Sequence, residues 1–67
     1  MKIKIQKVSL TMAEMGINYS TLSELSGVSR ATISYIKNGK SCRPDVVNKI
    51  AAALNVDVTE IIEQDGR

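Results

Sequence analysis

The sequence predicts an all-α domain of five short helices, on three observations. Polar caps sit between paired apolar residues at three separate points. Apolar residues recur at three- and four-residue spacing. Two tyrosines are the only aromatic residues among 67, which leaves Ile, Leu, Val, Met and Ala to form the core, a set suited to packed helices more than to a β-sandwich.

The segment Ile5 to Met15 carries mixed signals. Ile3 and Ile5 alternate with lysines as a strand would, whereas Val8, Met12 and Met15 keep helical spacing and read as core filling. We read a helix from about Gln6, ended by Gly16. Helix two is expected from about Tyr19, because Asn18 is a good N-cap and Ile17 with Leu22 forms a hydrophobic staple across it. Gly27 ends it. Val28, Ser29 and Ile33 repeat the pattern for helix three, from about Arg30 to Gly39. Pro44 before Asp45 marks a fourth start, and Val46, Val47, Ile50, Ala51 and Leu54 form its apolar stripe. Asn55 can end that helix. Val56, Asp57 and Ile61 staple the fifth near Val58, with Glu60 completing a capping box on Asp57. No repeat, low-complexity stretch or linker interrupts the chain, so one domain over residues 1–67 is expected.

Composition narrows the function. The single Cys42 and the lack of histidine leave no intrachain disulfide and no plausible metal-ligand set, so no cofactor is expected and packing must hold the fold. No apolar run approaches the roughly 18 residues of a membrane span, and Met1 to Ser9 leads into no signal-peptide core. A soluble cytoplasmic protein without a membrane partner is the expectation. Gly39-Lys40-Ser41 imitates the end of a Walker loop, but Ser34 stands where its first glycine belongs. No arrangement of carboxylates or lysines suggests an activated nucleophile, so an enzyme is not expected. Cys42 reads as a tolerated loop thiol, with Lys40 and Arg43 the nearby groups able to lower its pKa. Charge is unevenly spread: residues 1–43 hold seven Lys/Arg against Glu14 and Glu24, a balance of +5, and the remainder sums to −3. A polyanion would meet the first part.

The connection between helices two and three consists of Gly27, Val28 and Ser29, the length that lets two helices cross steeply as a helix-turn-helix, over about residues 19–37. Leu22, Val28, Ile33 and Ile36 fall at its core positions, Gly27 at its turn, and small Ser23 where the helices approach. With Ile33 and Ile36 inward, Arg30, Ala31, Ser34 and Tyr35 face out.

These residues resemble the phage repressor and Cro family of helix-turn-helix proteins, also called the xenobiotic-response-element type. The likeness runs from Ile17-Asn18-Tyr19-Ser20-Thr21-Leu22-Ser23-Glu24 through Gly27-Val28-Ser29-Arg30-Ala31-Thr32-Ile33-Ser34 and Lys37-Asn38-Gly39-Lys40 to Arg43-Pro44. It continues through Ile50-Ala51-Ala52-Ala53-Leu54-Asn55-Val56. The resemblance implies a lambda-repressor-like five-helix fold that binds double-stranded DNA. It also implies that Tyr19, Ser29, Arg30, Ala31, Ser34 and Tyr35 lie against bases, and that Asn18, Thr32, Lys37, Asn38, Lys40 and Arg43 contact the phosphate backbone. Arg30 is the first choice for direct readout, its alternative being a phosphate-bound or solvated arginine. Tyr35 reads either as packing on a thymine methyl or as covering the core edge. The family commonly has Gln at the position of Tyr19, Ala at Ser23 and Glu at Lys37, the last often paired with a basic residue where this chain has Met12.

The leading expectation is a sequence-specific transcriptional regulator, a repressor, acting as a homodimer through Val46, Val47, Val58 and Ile62, with no small-molecule ligand. The alternative is a protein-interaction module, antitoxin-like or anti-repressor-like, on the same scaffold.

Overall fold

The computed structural model describes residues 1–63; residues 64–67, the end of the expected 1–67 domain, lie outside the described residues. Five helices follow in order: α1 (Ile5–Met15), α2 (Tyr19–Ser26), α3 (Arg30–Lys37), α4 (Pro44–Leu54) and α5 (Val58–Ile61). The all-α class holds, and the only sheet-like pairing among the described residues is one antiparallel bridge between Ile3 and Ile62.

The caps explain the boundaries. Asn18 Oδ1 accepts from the Thr21 amide at 2.9 Å, and Ser29 Oγ accepts from the Thr32 amide at 3.2 Å; each such cap stabilises a helix by about 1 kcal/mol. The capping box of Asp57 and Glu60 forms, with Glu60 Oε2 accepting from the Asp57 amide at 3.1 Å. Pro44 opens α4, where its missing N–H costs nothing. Asn55 closes α4 at φ 58°, the only non-glycine residue with positive φ among those described. Its amide donates to Ala52 O and the Val56 amide to Ala51 O, satisfying carbonyls that the helix end leaves open.

One core unites these elements. Val8 and Met12 of α1, Leu22 of α2, Val28 of the turn, Ile33 and Ile36 of α3, Val47, Ile50, Ala51 and Leu54 of α4, and Ile61 of α5 are all buried in it. Two expectations are corrected here. Met15 is 42% exposed, because α1 ends at that residue and the chain turns away at Gly16. Val47, expected at a dimer surface, is 0% exposed. It shares the inward stripe with Ile50, Ala51 and Leu54, so no part of it is available to a partner.

Residues 1–4 do not join α1. They run extended as a strap, which accounts for the strand-like alternation: Ile3 is buried, while Lys2 and Lys4 are exposed. At one end Met1 exchanges hydrogen bonds with Cys42, the Cys42 amide donating to Met1 O at 2.7 Å and Met1 N to Cys42 O at 3.0 Å. At the other, the Lys4 amide donates to Ile61 O at 2.7 Å and the Glu63 amide to Lys2 O at 2.8 Å. The strap thereby ties the α3–α4 loop to the end of α5.

Candidate nucleic-acid interface

The α2–α3 turn is set by hydroxyls as much as by glycine. Gly27 takes φ 75°, a conformation costly for residues with a Cβ. The Ser23 hydroxyl then donates to Val28 O at 2.6 Å, and Ser26 Oγ accepts from the Val28 amide at 3.2 Å. Both backbone polar groups of a residue whose side chain is buried are thus satisfied. Smallness alone was the sequence signal at Ser23; the hydroxyl contributes a bond that alanine would lack.

With Ile33 and Ile36 buried, α3 leaves Ser29, Arg30, Ala31, Ser34 and Tyr35 exposed along one side. Tyr35 is 64% exposed, so it projects outward and does not cover the core edge. Thr32 differs from these. It is half-buried, and its Oγ1 accepts from Ser29 Oγ at 2.9 Å.

Two hollows flank the strip. On one side a small cleft of about 130 Å³ lies between the start of α2 and α3, bordered by Tyr19, Ser20, Arg30, Ser34 and Lys37. On the other, a groove of about 450 Å³ separates α3, at Ala31 and Tyr35, from the loop and helix start at Ser41, Arg43 and Val46. Asn18 stands at the α2 N-terminus with its Oδ1 engaged in the cap. Asn38, the α3 C-cap, and Lys40 are exposed in the loop that follows. Arg43 Nε lies 3.7 Å from Asp45 Oδ1, in a pair so exposed (85% and 60%) that it contributes little to stability and leaves the guanidinium accessible.

Arg30, Lys37, Lys40 and Arg43 belong to α3 and the loop after it, whereas Lys4 and Lys7 border a separate hollow with Glu63. The positive charge of residues 1–43 is thus spread over more than one hollow.

Tyr19 is the site residue whose surroundings sequence reasoning missed. Its ring is half-buried, its hydroxyl shares a 3.0 Å hydrogen bond with Ser9 Oγ of α1, and Lys37 Nζ sits 4.7 Å from the ring centroid. Cys42, in the α3–α4 loop, is half-buried. Burial pushes its thiol above the ordinary value of 9.0, with the Met1 ammonium pulling down and Asp45 adding to the rise. Neither Lys40 nor Arg43 sets its titration. Among the described residues no cluster of three or more His, Cys, Asp or Glu could hold a metal ion, and no helix is long and apolar enough to cross a membrane.

Two short helices joined by a tight turn, the second exposing a mixed polar strip, define a helix-turn-helix domain. Residues 7–65 match the family model of the Cro/C1-type HTH DNA-binding domain, and the chain belongs to that family. It is a DNA-binding regulator. No curated protein and no solved structure matched the chain.

Proposed function

We propose that this domain is a sequence-specific transcriptional repressor that lays α3 in the major groove of duplex DNA and acts as a homodimer. The observation that carries this reading is the exposed strip of Ser29, Arg30, Ala31, Ser34 and Tyr35 between two hollows. A major groove about 12 Å wide admits a helix, and the small residues Ser29, Ala31 and Ser34 in the strip let its backbone approach the base edges. Arg30 supplies the one guanidinium fork on α3, suited to guanine O6 and N7 together and worth roughly 1–3 kcal/mol of discrimination. Tyr35 reaches for a thymine methyl. Asn18 before α2, Lys37 at the end of α3, and Asn38, Lys40 and Arg43 after it meet phosphates on either side of the groove. Thr32 Oγ1 accepts from Ser29, so its own hydroxyl proton is free to be donated to a phosphate with that bond intact.

A single domain of this kind buries only about 600–1,000 Å² on DNA. Pairing two copies over half-sites roughly 34 Å apart raises the affinity. Half-buried Val46, Val58 and Ile62 are the remaining residues for the dimer contact.

The test is selection from a pool of random short duplexes, with wild type and Arg30→Ala compared and salt titrated. The expected result is an enriched palindrome, relaxed at one position per half-site in the variant, with affinity falling steeply as salt rises. Weak, sequence-blind binding that Arg30→Ala leaves unchanged would refute the proposal and direct attention to a protein partner.

A further inference from the structure

Lys37 ends in a flexible side chain on the last turn of α3, and a cation on such a side chain gives up rotamer freedom whenever it is pinned against a phosphate. In this molecule the Tyr19 ring already holds it. The ring comes from α2, its hydroxyl shares an exposed 3.0 Å hydrogen bond with Ser9 Oγ of α1, and the Lys37 ammonium lies over its face at 4.7 Å. One aromatic side chain thus joins three helices, and it does so at the border of the cleft shared with Ser20, Arg30 and Ser34. Half-burial and the bond to Ser9 leave Tyr19 poorly placed to turn toward a base edge.

We propose that Tyr19 is a positioning residue and not a base reader: anchored to Ser9, it holds the Lys37 ammonium ready for a DNA backbone phosphate at the mouth of the α2–α3 cleft. This rests on the reading that α3 engages DNA. It implies that Tyr19 acts on affinity through Lys37, with no share in sequence preference.

The test has a part without DNA and a part with it. In the free protein, NMR of the Lys37 methylenes shows ring-current shifts that vanish in Tyr19→Leu and weaken in Tyr19→Phe, which keeps the ring but loses the bond to Ser9. With a labelled duplex bearing the sequence selected by wild type, the slope of log K against log salt is shallower by about 0.9 in Lys37→Met, one phosphate contact fewer. Tyr19→Leu lowers the slope equally, Lys37→Met added to it lowers it no further, and Tyr19→Phe lowers it by less than Tyr19→Leu. The selected sequence is the same for Tyr19→Leu as for wild type.

A Tyr19→Leu variant that relaxes the selected sequence would overturn the proposal by making Tyr19 a base reader. So would an unchanged slope in Lys37→Met, which needs no change at Tyr19 and stands even if Tyr19→Leu does not fold. Absence of any sequence preference in wild type would instead bring down the DNA-reading proposal on which this one stands.

Discussion

Replacing Val47 by alanine separates core from interface on the face of α4. The side chain has no exposed surface, so the change deletes two buried carbons worth about 0.8 kcal/mol each in transfer, roughly 1.6 kcal/mol. If roughly 40 Å³ of the space stays empty, at about 24 cal/mol per Å³ the cavity adds about 1 kcal/mol. The expected loss is therefore roughly 2.5 kcal/mol, a large share of the 3–5 kcal/mol or so that a core of this size supplies. From about 4 kcal/mol, the unfolded fraction rises from about 0.1% to about 7%. Urea melts followed by circular dichroism, run at two protein concentrations, measure it. Because the loss arises inside one molecule, the difference from wild type is the same at both concentrations. A loss under about 0.5 kcal/mol, or one that grows or shrinks with concentration, would refute the core placement and return Val47 to a subunit contact.

Two further outcomes follow from single residues. Asn55 holds φ 58° at the end of α4, so Asn55→Ala is expected to cost about 1 kcal/mol in the same melts while Asn55→Gly costs much less; equal losses would show that the left-handed backbone is not what selects the residue. Cys42, raised above 9.0 mainly by burial, is expected to react with iodoacetamide along a pH profile displaced upward from that of the urea-unfolded chain. Above 9.0 the unfolded state loses this proton before the folded state does, so the contribution to stability is intact below that pH and declines as pH rises through the folded value. Superimposed profiles would refute the burial effect.

Helix boundaries were legible because they are written locally. Asn18, Ser29 and Asp57 each stand between an apolar residue before the cap and one at the fourth helical position, and each opens a helix in the structure. The outward strip of α3 followed from Ile33 and Ile36 alone. Val47 was misassigned because the apolar stripe of α4 was read as one set. The spacing Val47, Ile50, Ala51 and Leu54 already picks out the inward face, with Val46 about 100° to one side. What no local pattern could disclose was contact across the chain. The pairing of Tyr19 with Ser9 and Lys37 depends on how three helices cross, and the bonds of residues 1–4 depend on where Cys42 and α5 come to rest. A strand-like alternation at Ile3 and Ile5 was the only trace of the latter.

The strap also carries a statement about the order of folding. The α2–α3 turn can form from neighbours in sequence, but the bridge between Ile3 and Ile62 closes almost the whole described chain into a ring. That closure is costly in chain entropy until the helices between have already drawn its ends together. The strap is therefore a late latch and an early release. Hydrogen bonds donated by the Lys4, Cys42 and Glu63 amides can open while the helices stay packed, so the α3–α4 loop can loosen beside a helix pair that remains rigid.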